Sequence, residues 1–308
     1  FFYLKSKFKI IGIDKKKSNL NHLFISDLLN FDKINKILKK EKPDLIVHLA
    51  AQSLVDEKIN KKKYYLNNII ATKNLLKSMK LNNLNNLIFS STAAVYKKKN
   101  NLITEKDILK PISTYAKTKY ECEKLIKKSK INSIILRFFN VCSSLTINNN
   151  IIGEFHNPET HLIPTVVYKN LYKKKVYLYG NNYKTSDGTC VRDYIHIKDI
   201  CSAIDKSIIY LKDNLNKSEI INIGSSVNQT NLQIIKEIEN ITKLKTNFVV
   251  KKNRRGDVDK LACSINKAKK MINWKPKFSK IKTIINDEIR WVKYLKKNNL
   301  RRRFKNYL

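Results

Sequence analysis

Three side chains in the first half of the sequence, Thr92, Tyr115 and Lys119, have the types that oxidation of a carbinol requires. A phenol, with an ordinary pKa of about 10, is almost fully protonated near neutrality. An ammonium held beside it favours the phenolate and so makes the oxygen a usable proton acceptor. Tyr115 and Lys119 stand four residues apart, which puts both on one face of a helix. The Thr92 hydroxyl can hydrogen-bond the same substrate oxygen and fix the path of the proton. Together they would take a proton from a carbinol while a hydride leaves its carbon. The bare Tyr-x-x-x-Lys spacing also occurs on solvated helix faces, so the surrounding elements decide its meaning.

Those elements are legible. Leu87, Ile88 and Phe89 form an apolar run bounded by Ser90, Ser91 and Thr92, which predicts a buried strand ending in hydroxyls. The carboxyl ends of strands are where open α/β sheets place their ligands. A helix opens at Tyr115, and a second apolar strand, Ile134 to Phe139, follows and closes on Asn140. Strand, helix, strand is the order of a nucleotide-binding parallel sheet.

With these motifs in place the chain resembles the extended short-chain dehydrogenase/reductases, and within them the UDP-glucose 4-epimerases. The segments that carry the resemblance are His48 to Ala51 (HLAA), Tyr64 to Asn68 (YYLNN), Phe89 to Tyr96 (FSSTAAVY), Arg137 to Asn140 (RFFN), Asn157 to Pro164 (NPETHLIP) and Asp187 to Ile200 (DGTCVRDYIHIKDI). The last two are the most discriminating. The resemblance implies a Rossmann-type doubly wound parallel sheet and a smaller α/β substrate-binding domain. Residues 1–141 would bind NAD, and residues 142–308, interleaved with them, a UDP-sugar.

The same resemblance assigns roles along the chain. Tyr115, Lys119 and Thr92 become the catalytic set, with Thr92 also touching substrate. Asp27, Leu28, Leu49, Ala50, Ala51, Ser53, Asn67 and Phe139 become cofactor contacts, together with Tyr115 and Lys119. Asn140, His161, Leu162, Tyr177, Leu178, Tyr179, Arg192, Arg254, Asp257 and Leu261 become substrate contacts, the two arginines gripping the diphosphate. Thr92 is followed by Ala93 and Ala94, where sugar-nucleotide 4,6-dehydratases carry Asp-Glu, which disfavours water elimination. Leu261 stands at the position that gates sugar size, where some relatives carry tyrosine. UDP-hexose is the expected substrate; a UDP-N-acetylhexosamine or UDP-pentose is the near alternative, and an inactive remnant or a basic RNA-adhering protein the distant one.

Asp14 ends the apolar run that starts at Phe8, where a carboxylate accepts hydrogen bonds from the adenosine ribose and favours NAD over NADP. The glycine-rich turn that should precede it, whose amides cradle a pyrophosphate, has no counterpart in the sequence. The expectation is a chain short of one strand, one turn and half a helix at its N-terminus, residues 1 to 9 supplying the helix tail, and poor in NAD affinity as it stands.

Bulk properties set the frame. At 308 residues and 42% hydrophobic content a packed core is expected. No apolar run approaches the roughly 20 residues that span a bilayer, so no membrane partner is expected. Five scattered cysteines without a Cys-x-x-Cys pair argue against disulfides and zinc and for a cytoplasmic protein. The five histidines show no metal-ligand spacing and read as packing or hydrogen-bonding residues. The formal charge of +38 would suit RNA, yet lysine, asparagine and isoleucine are inflated together through every segment. That is the mark of A/T-rich codons, so no specific nucleic-acid partner is expected. Only Arg301 to Arg303 form a local basic cluster. Relatives commonly dimerise through the helices that here start near Tyr64 and Tyr115.

Overall fold

The strand Asn86–Thr92 sits at the middle of the fold because its side chains are apolar on both faces. Leu87 and Phe89 turn to one side and Ile88 to the other, all three buried. Such a strand suits a parallel sheet covered by helices on both faces. In this computed structural model, which describes residues 1–17, 22–54, 60–97, 99–147, 150–154, 156, 159–214, 217–254 and 257–298, the sheet runs Ser218–Ile223, Asn132–Phe138, Asn86–Thr92, Ile46–His48, all parallel. Asn157, Pro158, Arg255, Gly256 and the Arg301–Arg303 cluster lie outside the described residues.

On one face, helices Phe31–Glu41, Ala71–Leu81 and Thr114–Lys128 set Ile34, Leu75, Met79 and Ile126 against Leu87, Phe89 and Ile135. On the other, helices Ile197–Asp213 and Asn266–Ile272 set Ile200, Ile204 and Ala268 against Ile88, Ile134 and Ile221. The architecture is the doubly wound α/β one expected from the sequence. A second core joins helices Leu162–Leu171, Asn231–Thr242 and Ile281–Lys297 to strands Val176–Tyr179 and Val191–His196.

The amino-terminal end departs from expectation in two ways. Gly12–Asp14 alone is a strand, and the run from Phe8 is not. Residues 2–7 are hydrogen-bonded turns, with Leu4 and Phe8 packed against the main core, rather than a helix tail. Gly12–Asp14 pairs in parallel with Leu23–Ile25 as a separate sheet. Among the described residues, Ile46–His48 has a strand partner on one side only.

The segment from Asp187 to Ile200 is held by buried acids. Asp193 accepts from Ser225 N at 2.6 Å and Ser226 N at 3.0 Å, and Asp199 from Lys277 N at 2.8 Å and Phe278 N at 2.9 Å. These bonds satisfy carboxylates that burial would otherwise penalise. Gly188 sits at φ +76°, with Asn181 O 2.1 Å from where a Cβ would lie, so the turn accepts no side chain there.

Between them His196 is fully buried, and its Nδ1 accepts from Lys198 N at 3.0 Å, which fixes the neutral ring. Burial, with Lys198 adding to it, holds its pKa down at about 4. A histidine depressed in the folded state contributes stability that is lost as pH falls from about 6.5 towards 4. The expected result is a His196 ring that remains neutral at pH 5 by histidine NMR, where an exposed histidine is largely protonated. A His196 titration near 6.5 would refute this.

Candidate active site

Strand Asn86–Thr92 ends at Thr92, whose side chain accepts from Ala94 N at 3.2 Å and so caps the short turn Ala93–Val95. Helix Thr114–Lys128 begins under the cap of Ser113, whose Oγ accepts from Ala116 N at 3.1 Å. That start places Tyr115 in the first turn and Lys119 one turn on. Tyr115 and Thr92 are hydrogen-bonded to each other. The three residues singled out by type and spacing therefore meet at the carboxyl end of the sheet.

Their electrostatics differ from the expectation. Burial pushes the Tyr115 hydroxyl up to about 12, and the Thr92 hydrogen bond offsets only part of this. Lys119 does not lower it. The ammonium lies 4.2 Å from the centre of the Phe89 ring, and burial brings it down to about 8, with Cys122 and Glu123 opposing. Desolvation outweighs the pairwise charge effect when both groups are out of water. Tyr115 is thus a proton donor at rest and needs further positive charge beside it to act as an acceptor.

One turn further along the helix, Glu123 forms a two-pronged ion pair with Arg137: Nε to Oε1 at 2.9 Å and NH2 to Oε2 at 2.6 Å. Ser91 Oγ donates to the same carboxylate at 2.5 Å, and the guanidinium stacks 4.7 Å from the centre of the Tyr96 ring. This buried network fastens helix Thr114–Lys128 to the two central strands.

The cavity that Thr92, Tyr115 and Lys119 open onto measures about 2720 Å³. It continues past Leu38 and Leu75 on one face of the sheet and Ile204 and Ile208 on the other. Asp14, Leu28, Leu49, Ala50, Ala51, Ser53 and Phe139 line it, as do Asn140, His161, Leu162, Tyr177, Leu178, Tyr179, Arg192, Arg254, Asp257 and Leu261. Asp14 is exposed, and its Oδ1 accepts from Lys16 N at 2.8 Å.

Two expected cofactor contacts stand elsewhere. Asp27 is absent from the lining and turns its carboxylate back to Leu29 N at 2.9 Å, stabilising a turn. Asn67 is also off the lining. Residues Tyr65–Ile70 wind as a π-helix, and it is the neighbour Asn68 that points inward, accepting from Gln52 N at 2.7 Å and donating to Thr118 at 2.8 Å. A local change of helical register is what a sequence motif cannot report.

The arginines have unequal freedom. Arg192 NH1 donates to Val191 O and Val258 O at 2.9 and 2.7 Å, and NH2 to Asp257 Oδ1 at 3.2 Å. Asp257 therefore steadies Arg192 as well as lining the cavity. Arg254 is exposed and stacks 4.0 Å from the centre of the Tyr179 ring.

His161 caps helix Leu162–Leu171, with Pro164 in its first turn, where a missing N–H costs nothing. Its Nδ1 lies 2.7 Å from Glu154 Oε1 and 3.2 Å from Glu159 Oε1, and His156 Nδ1 reaches the same Glu154 oxygen at 2.7 Å. Two of the five histidines are thus polar partners of acids, within the packing or hydrogen-bonding role expected of them, and the fold brings them together with two carboxylates. The spacing Glu154-x-His156-x-x-Glu159-x-His161 was the available signal. All five cysteines are free thiols, and no helix among the described residues is long and apolar enough to cross a membrane.

Residues 2–224 match the NAD dependent epimerase/dehydratase family. The chain is 37% identical over 269 residues to a UDP-glucose 4-epimerase of Lactobacillus helveticus, covering 84% of this chain and 80% of that one. Its fold superposes on a crystal structure of a UDP-glucose 4-epimerase with a TM-score of 0.87 at 31% identity, covering 95% and 92% of the two chains. A UDP-glucose 4-epimerase from Brucella ovis in complex with NAD gives 0.82 at 29% identity, covering 88% and 84%.

Proposed function

The chain belongs to the NAD dependent epimerase/dehydratase family, and from that premise we propose that it interconverts UDP-glucose and UDP-galactose by transient oxidation at C4. The observation that carries this reading is the hydrogen-bonded Thr92–Tyr115 pair, with Lys119 a turn away, opening onto a cavity that also holds Arg192 and Arg254.

The residues present fit NAD at its two ends. Asp14, at the carboxyl end of its strand, suits the adenosine ribose, and Leu49, Ala50 and Ala51 offer a small-sided wall. Phe139, Tyr115 and Lys119, which line the cavity, would border the nicotinamide end. Among the described residues no glycine-rich turn serves the pyrophosphate. When bound, NAD supplies a hydride acceptor and donor for the sugar carbon. The chain's own part is proton transfer and positioning. Tyr115 Oη exchanges a proton with the sugar 4-hydroxyl, and Thr92 holds that oxygen in line. Ala93 and Ala94 bring no acid or base that could drive elimination. The two arginines and the Tyr177–Tyr179 strand anchor the UDP, so that the sugar can turn between two poses on a fixed tether.

Arg254 is the more available anchor, and charge-assisted hydrogen bonds to phosphate contribute about 1.5–3 kcal/mol each. The expected effect of Arg254→Ala is a UDP affinity lower by roughly 10- to 100-fold in a calorimetric titration. Unchanged affinity would remove Arg254 from the clamp. Leu261 borders the same cavity, and its lack of a bulky ring favours a second reading in which an N-acetylated UDP-hexose is also taken. NMR product analysis on UDP-galactose, UDP-N-acetylgalactosamine and a UDP-pentose, with NAD supplied, tests both. Only C4 epimers are expected, and a 4-keto-6-deoxy product would overturn the assignment. Work in the cytoplasm, with residues 1–141 serving the cofactor and 142–308 the UDP-sugar in an interleaved pair of domains, belongs to this reading. Pairing of two copies through the helices starting near Tyr64 and Tyr115 belongs to it too, and sedimentation would check it.

A further inference from the structure

Glu154, His156, Glu159 and His161 each turn one ligand atom into a volume in which all four lie within 4.8 Å of one another. The two imidazole Nδ1 atoms approach the same Glu154 oxygen at 2.7 Å, and the rings stand 5.3 Å apart at 54°. A second observation comes from another element. Glu288, on helix Ile281–Lys297, is 1% exposed, and its Oε2 has no hydrogen-bond partner among the described residues. Trp291 stands three residues on, on the same helix face, and reaches Glu154, which puts Glu288 on the side of this cluster. The floor is rigid: Trp291 Nε1 donates to Glu154 O at 2.8 Å, and the indole lies so close to Gly153 that a Cβ there would meet it at 2.5 Å.

We propose that Glu154, His156, Glu159 and His161 form a binding site for a first-row transition dication, with Zn²⁺ the best match. Two imidazole nitrogens and two carboxylate oxygens are a donor set for zinc, whereas Mg²⁺ and Ca²⁺ take oxygen donors. A tetrahedral shell with bonds near 2.0–2.1 Å places its donors roughly 3.3 Å apart. The approaches of 2.7–3.2 Å lie just inside that value and the widest donor separation is at most 4.8 Å, so side-chain shifts of up to about 1.5 Å would complete the shell. The ion would neutralise the crowded acids, with Glu288 as an outer carboxylate. It would also clip the segment between strand Asn150–Ile152 and helix Leu162–Leu171. His161 also borders the substrate cavity, so ion binding is read without substrate present.

The test uses the whole chain, stripped with a chelator and titrated with Co²⁺ by visible absorption and with Zn²⁺ against a chromophoric chelator. One equivalent per chain is expected, with the d–d bands of four-coordinate Co²⁺. Glu154→Gln and His156→Asn should each weaken Zn²⁺ at least tenfold, while His22→Asn, at an exposed position, should not. Circular dichroism confirms that each variant is folded. Failure to bind a stoichiometric ion, or equal affinity in the Glu154 and His156 variants, overturns the site.

Discussion

Tyr115→Phe is expected to slow the conversion of UDP-galactose by roughly 10²- to 10⁴-fold, the range that positioned acid–base groups contribute, while UDP still binds. The hydroxyl is the only part removed, and the ring keeps its place in the first turn of helix Thr114–Lys128. With burial holding the phenol near 12, its oxygen must be brought into the reacting range by positive charge in the occupied pocket. Single-turnover kinetics on UDP-galactose separate the chemical step from binding. A rate unchanged in the phenylalanine variant would remove Tyr115 from the mechanism.

The second large effect is on stability. Glu123→Gln keeps the shape of the side chain but leaves the Arg137 guanidinium uncompensated at about 1% exposure. Removing one partner of a buried pair typically costs about 3–5 kcal/mol, because the remaining charge has lost both water and its counterion. Loss of that size is expected in urea unfolding of Glu123→Gln. Adding Arg137→Met should return part of it, since replacing a whole buried pair with apolar groups is often nearly neutral. If Glu123→Gln unfolds at the parent's urea concentration, the pair does not brace the helix.

The central strands were readable because side chains that alternate between two buried faces leave an unbroken apolar run, as at Leu87, Ile88 and Phe89. Tyr115 and Lys119 were readable for a similar reason, since their spacing is itself a statement about one helix face. What escaped depends on contacts between distant segments or on solvent. Asn68, not Asn67, points inward because the backbone winds as a π-helix there. The Glu123–Arg137 pair has no local signature, joining a helix to the following strand deep in the core. The direction of the Tyr115 shift rests on burial, which no motif encodes. Asp257 meets Arg192 only because residues 65 positions apart fold side by side.

UDP-galactose carrying deuterium at C4, followed by NMR as the chain converts it with NAD supplied, tests the central claim most directly. Oxidation and return within one closed site predict UDP-glucose with the label still at C4. Product whose C4 hydrogen has come from water would contradict the account.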